Sequence, residues 1–134
     1  MQLFKIPNVY LMGGYLIIAC ILNLFLESTI QPYMSTLGVT PFQVNWILLS
    51  KNIIMSISAI IIGWIISRWK HLNKLVIISI GHFIYFISYL LFGPSFLLPI
   101  DANPWLSVIA VQLIGFAIAA SDVPMFECML KIVM

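Results

Sequence analysis

Four long apolar segments constrain this chain more than any other feature of its sequence. They cover roughly residues 9–34, 41–67, 74–92 and 104–126, and each is close to the about 20 residues that a helix needs to cross a hydrocarbon core of about 30 Å. Hydrophobic residues make up 63% of the 134 residues and charged residues only 7%, whereas soluble domains are about 25% charged. The sequence therefore predicts an all-α membrane protein with four transmembrane helices and no soluble domain.

Local signals mark where three of these helices begin. Thr40 precedes Pro41, and Gln43 follows three residues after Thr40, which is the pattern of a capping box with proline in the first turn. Asn73 and Asn103 stand at the starts of the third and fourth segments and are candidate N-caps. These signals favour the second, third and fourth starts at about residues 41, 74 and 104.

The basic residues predict the orientation of the chain. Lys5 precedes the first segment, and Arg68, Lys70 and Lys74 surround the link between the second and third segments. The links at residues 35–40 and 94–103 contain no Lys or Arg. Since basic residues are enriched on the cytoplasmic side, we expect both termini to be cytoplasmic in a multi-pass protein.

Composition and motifs also exclude several classes of function. A net charge of +2 is too small to indicate nucleic-acid binding. Cys20 and Cys128 lie far apart in the sequence, so we expect two buried thiols and neither a disulfide framework nor a metal site. The chain has no metal-ligand spacing, nucleophile elbow or phosphate-binding loop, so we expect neither a cofactor nor an enzyme.

Two carboxylates inside the apolar segments are the main candidates for function. An ionisable group at bilayer depth is costly and usually marks a pathway for substrate or protons. Glu27 belongs to a polar half-segment that also contains Asn23 and Gln31, which must face protein or a cavity. Asp122 lies in the fourth segment. An alternative for Asp122 is that this segment ends early and leaves the carboxylate in the cytoplasmic headgroup region.

Depth along the helices groups the buried polar residues into two levels. At about 1.5 Å per residue, Glu27 and Lys51 lie about 10 and 13 Å below the outer surface, and His82 lies about 12 Å from the cytoplasmic side, in the same half as Asp122. Glu27 and Lys51 are thus a possible charge pair. For His82 the alternative to a functional role is a neutral histidine packed among aromatic residues and bonded to a helix carbonyl.

Three stretches of the chain resemble the major facilitator superfamily and, within it, the vesicular amine transporters. Residues 25–32, FLESTIQP, resemble the Phe-Leu-Glu/Asp-Pro-Thr-Leu signature of the seventh helix, with Ser28 in place of proline. Residues 63–68, GWIISR, resemble the loop between helices eight and nine, with Ser67 in place of its acidic residue. Residues 115–122, GFAIAASD, are similar to a segment of helix ten.

The resemblance implies a partial superfamily domain over residues 1–134, equivalent to helices seven to ten of about twelve. It implies a segment of a proton-coupled antiporter for organic cations such as polyamines or monoamines, in a vesicle membrane or, as the alternative, in the plasma membrane. Candidate substrate-binding residues are Glu27, Asn23 and Gln31, and Asp122 and Glu27 are candidates for proton coupling. Gly63 and Arg68 would belong to the conformational loop.

The expected partners are the cation, protons, lipid and the remaining transporter helices. The alternative is a four-helix membrane protein or truncated fragment that transports nothing.

Overall fold

The computed structural model describes residues 7–69, 73–93 and 103–133 and consists there of four α-helices. They are α1 (Pro7–Thr36), α2 (Pro41–Arg68), α3 (Lys74–Phe92) and α4 (Pro104–Val133). The described residues contain no strand. All four helices are long and apolar enough to cross a membrane, so the protein is an all-α, multi-pass membrane protein. Lys5, Lys70 and Ala102 lie outside the described residues.

The sequence signals at the helix starts form the expected hydrogen bonds. The Thr40 side chain accepts from the backbone N–H of Gln43, and the Gln43 side chain accepts in turn from the backbone N–H of Thr40 at 3.0 Å. Asn73 caps α3, where its Oδ1 accepts from the Leu75 N–H. These side chains satisfy N–H groups that a helix start otherwise leaves without acceptors.

Helix α4 lies at the centre of the bundle, between α2 and α3. It contributes buried residues along most of its length, whereas most of α1 is exposed. One apolar cluster joins α1, α2 and α4 through Ile30, Val44 and Val111. A second joins α2 and α4 through Ile62 and Ala119. The layer between these two clusters contains the lysine of α2.

Two glycines allow α4 to pack closely against its neighbours. A Cβ on Gly115 would lie 2.7 Å from the carbonyl oxygen of Lys51, and one on Gly81 would lie 2.5 Å from Ser121 Oγ. Both distances are far below van der Waals contact. Small residues at such crossings are typical of membrane helices, which associate largely through close packing.

Three residues named in the sequence analysis have defined places in the structure. Gly63 and Arg68, which the resemblance assigned to a loop, both lie within α2; Gly63 is inside the segment predicted for this helix, and Arg68 is its last residue. The apolar run before Arg68 continues the helix because nothing in it breaks the hydrogen-bond pattern. Cys20 was expected to be buried but is exposed, since α1 packs against only part of the bundle and turns this face outward.

Candidate functional site

Two neighbouring groups of polar residues contain the candidate charges of the spans. We call the first the lysine cluster; it consists of Lys51, Asn23 and Glu27. We call the second the aspartate cavity; it is a space of about 140 Å³ between α1, α3 and α4. Along α1, Glu27 and Tyr15 are about 18 Å apart at 1.5 Å per residue, so the two groups lie at different levels of the bundle.

The lysine cluster is built around a completely buried side chain. Lys51 has 0% of its surface exposed. Its Nζ donates to Asn23 Oδ1 at 3.0 Å and to Glu27 Oε1 at 3.2 Å. The Glu27 side chain is 45% exposed. The structure therefore brings Glu27, Asn23 and Lys51 together, and the carboxylate and ammonium charges compensate each other.

The aspartate cavity contains the second carboxylate of the spans. Asp122 lines it together with Tyr15, His82, Tyr85 and Ser121. The Tyr15 hydroxyl donates to Asp122 Oδ1 at 3.4 Å. Helix α4 continues past Asp122 to Val133, so this carboxylate does not stand at a helix end.

His82 has a defined arrangement of its two ring nitrogens. Its Nδ1 lies 2.7 Å from the carbonyl oxygen of Ile78, one helical turn earlier. A carbonyl oxygen can only accept, so Nδ1 carries a proton and Nε2 has the lone pair in the neutral ring. The ring also packs against Tyr15, with 4.9 Å between centroids. The expected bond to a helix carbonyl is thus present, and His82 also lines the cavity.

Asn23 is the residue that connects the two groups. Its side-chain oxygen binds Lys51, and the residue also lines the aspartate cavity. Polar groups therefore follow one another from Glu27 through Lys51 and Asn23 to the cavity that contains Asp122. This connected path could not be predicted from depth alone, because two residues at the same depth in the membrane need not lie on helix faces that meet.

The other sequence candidates lie outside this path. Gln31 is exposed on α1 and belongs to neither group. Gly63 packs near Val123 of α4, where an added Cβ would be 3.8 Å from Val123 Cγ1. Arg68 is exposed at the end of α2.

Sequence reasoning missed Tyr15, Tyr85 and Ser121 as cavity residues. Tyrosines are common in membrane helices as interfacial anchors, so neither Tyr15 nor Tyr85 stood out. The available signal was that a tyrosine hydroxyl placed away from the interface needs a hydrogen-bond partner, and Tyr15 finds one in Asp122.

The structure also gives a second ion pair and a limit on metal binding. Lys74 Nζ lies 2.6 Å from Glu127 Oε1, which connects the start of α3 to the last turns of α4. Within the described ranges, no group of three or more His, Cys, Asp and Glu side chains is placed to hold a metal ion.

No protein family, curated protein or solved structure matches this chain.

Proposed function

We propose that the chain is a segment of a proton-coupled secondary transporter that exchanges organic cations for protons. The observation that carries this proposal is a carboxylate, Asp122, that faces a cavity between three membrane helices. Ionisable groups inside membrane spans are rare and mark substrate or proton pathways. Transporter sites also lie between helices near the membrane midplane.

The cavity has the chemistry and the size for a small organic cation. Asp122 supplies a negative charge, and Tyr15 and Tyr85 supply aromatic rings beside it. An aromatic ring attracts a cation by about 0.5–2 kcal/mol, depending on desolvation. A cavity of about 150 Å³ holds a benzene-sized molecule, so a space of about 140 Å³ suits an alkylammonium ion of a few carbon atoms.

Proton coupling follows from competition for one carboxylate. A proton on Asp122 removes the charge that attracts an ammonium ion, so the cavity releases its cation when Asp122 is protonated. His82 provides a second proton acceptor beside the cavity through Nε2, because its Nδ1 is occupied by the Ile78 carbonyl. Exchange results when the proton and the cation bind from opposite sides of the membrane.

Asp122 is a better candidate than Glu27 for holding the cation directly. Lys51 already neutralises Glu27 at 3.2 Å. Among the described residues the two recorded ion pairs are Lys51–Glu27 and Lys74–Glu127, so neither involves Asp122. In this proposal Asn23 forms part of the cavity wall, Glu27 holds Lys51 beside it, and the remaining helices of the transporter complete the pathway. The vesicular location and the cytoplasmic termini belong to the same proposal and rest on the sequence resemblance and on the basic residues.

The test is cation binding by the purified chain in lipid nanodiscs. Butylammonium should bind saturably and raise the melting temperature, and the binding should weaken as the pH falls. Asp122→Asn should abolish it, because the charge is removed while the shape is nearly kept. Glu127→Gln is the matched control on the same helix and should bind normally, since Glu127 pairs with Lys74.

A transport assay extends this test to a complete transporter that contains the segment. There, Asp122→Asn should prevent accumulation of the cation against its gradient while the protein remains inserted in the membrane. Equal binding by the parent chain and Asp122→Asn, together with normal pH-driven accumulation by that variant, would contradict the proposal and favour a four-helix membrane protein that does not transport.

A further inference from the structure

The lysine cluster has the composition of a binding site for an ammonium ion. Lys51 Nζ is held by one carboxylate oxygen and one amide oxygen, at 3.2 and 3.0 Å. These two groups stand on successive turns of one face of α1, four residues apart, and reach the ammonium from the same side. Carboxylate and amide oxygens bind any primary ammonium through the same charge-assisted hydrogen bonds. Nothing in this geometry requires that the ammonium belong to a lysine.

The stem of Lys51 is fixed by its packing against α4. Gly115 leaves just enough room for it, because an added Cβ would lie 3.1 Å from Lys51 Cγ and 2.7 Å from its carbonyl oxygen. The side chain is therefore confined between helices and delivers its ammonium to one position. A buried ammonium without such partners would be strongly destabilising, so Asn23 and Glu27 are what allow a lysine at this place.

The ammonium position adjoins the aspartate cavity. Asn23 accepts from Lys51 and also forms part of the cavity wall. Asp122 lines the same cavity from α4. The two carboxylates thus serve two cation positions, one filled by Lys51 and one open to the cavity.

We propose that Asn23 and Glu27 form a second cation site that Lys51 occupies from within the chain, and that this internal occupant makes the cavity selective for monocations. The inference rests on the proposed function, since it specifies the charge of the cargo. A monoammonium ion pairs with Asp122. A diammonium ion would direct its second charge toward the position that Lys51 holds, and like charges at short distance repel. Lys51 is thus a specificity residue that acts through the charge it places beside the cavity.

The first experiment removes the Lys51 side chain and adds a free ammonium ion of the same shape. Lys51→Ala deletes Cγ, Cδ, Cε and Nζ, and propylammonium has the same chain of three carbons and one nitrogen. A cavity left by truncating a buried side chain can bind a ligand of matching shape. Propylammonium should therefore raise the melting temperature of Lys51→Ala and bind it at least about tenfold more tightly than the parent chain, the gain expected from charge-assisted hydrogen bonds.

Three controls make this result specific. Propanol has the same shape without the charge, and tetramethylammonium has the charge without N–H donors, so neither should bind Lys51→Ala more tightly than it binds the parent chain. Lys51→Ala combined with Glu27→Gln should lose the gain in propylammonium affinity over the parent chain. Lys74→Ala removes the lysine of the other ion pair and should gain no affinity for propylammonium.

The second experiment measures charge selectivity. The parent chain should prefer hexylammonium to diammonium alkanes of three to six carbons. Lys51→Ala should show the reverse preference: it should bind the diammonium ion of best-fitting length about tenfold or more tightly than hexylammonium. If Lys51→Ala cannot be recovered, Lys51→Met replaces it, because methionine fills the stem but leaves the ammonium position empty. It should show the same reversal but bind propylammonium no more tightly than the parent chain does.

The outcomes separate this inference from the proposed function. If the parent chain binds monoammonium ions through Asp122, but neither Lys51 variant gains affinity for propylammonium or diammonium ions, the internal-occupant proposal is wrong and the transport proposal stands. If Lys51→Ala gains a propylammonium site that depends on Glu27 while the parent chain binds no cation, the second site is real and the proposed function fails.

Discussion

At the scale of single residues, the cost of burying a charge decides how the polar groups of this protein are arranged. Lys51 has no exposed surface and its ammonium is met by Glu27 and Asn23. Removing one partner of a buried ion pair costs about 3–5 kcal/mol, whereas replacing both partners is often neutral. Asp122 has no such ion pair among the described residues and instead accepts from Tyr15, which leaves its charge available to the cavity.

This difference gives a testable double-mutant cycle. Glu27→Gln and Lys51→Met should each lower the free energy of unfolding of the protein in detergent. The loss in the double variant should be smaller than the sum of the two single losses by at least about 1 kcal/mol. Unfolding midpoints in a denaturing detergent give the measurement.

The second ion pair provides the control for the cycle. Lys74 and Glu127 are partly exposed, at 14% and 40% of their side-chain surface, so their coupling should be about 0–1 kcal/mol. Strict additivity of Glu27→Gln and Lys51→Met would show that the pair does not contribute as a unit.

At the scale of helices, α4 packs closely against both α2 and α3. Gly115 and Gly81 let the backbones approach closely, and the Ser107 hydroxyl on α4 donates to the Phe92 carbonyl on α3 at 3.1 Å. Helix α1 combines an apolar contact around Ile30 near its C-terminal end with polar attachments farther along the helix. Tyr89 donates to the Leu22 carbonyl at 2.9 Å, and the lysine cluster adds a second attachment.

The glycine crossings predict opposite results for two similar substitutions. Gly115→Ala should destabilise the protein by about 1–3 kcal/mol, because the new methyl group would overlap Lys51 and overpack the crossing. Gly63→Ala should be neutral or slightly stabilising, since its Cβ would make an ordinary 3.8 Å contact and alanine favours helix formation. Comparing the melting temperatures of the two variants in one detergent checks this, and equal effects would contradict the close approach at Gly115.

At the scale of the whole molecule, four spans and the positions of the basic residues define a topology. Arg68 and Lys74 flank the link between α2 and α3, whereas the described part of the link between α1 and α2 contains neither Lys nor Arg. The positive-inside rule therefore predicts that the link between α2 and α3 lies in the cytosol. Since α1 to α4 cross the membrane in alternating directions, the link between α1 and α2 should lie on the opposite side.

Cysteine labelling tests this topology directly. In a background with Cys20→Ser and Cys128→Ser, a cysteine at Ser35 should react with a membrane-impermeant reagent from the lumen or exterior. A cysteine at Ser67 should react only from the cytosol, and both positions are exposed in the structure. Labelling of position 35 from the cytosol would reverse the orientation and the depths that follow from it.

The sequence by itself determined the number of helices, their starts and the class of protein. Apolar length and capping residues are local properties, so Thr40 with Gln43 marks the start of α2 and about 20 apolar residues define a span whatever surrounds them. The sequence also identified Glu27, Lys51 and Asp122, because a charge within an apolar segment is conspicuous without any structure.

Only the tertiary structure decided which of these charges meet and which face a cavity. Which sides of two helices touch depends on packing between residues far apart in the chain, as in the crossing of Gly115 over Lys51. That crossing buries the lysine and brings its ammonium to Asn23, and the same arrangement leaves Asp122 open beside Tyr15 and His82. Depth along a helix can be counted from the sequence, but rotation about the helix axis is set by the neighbours.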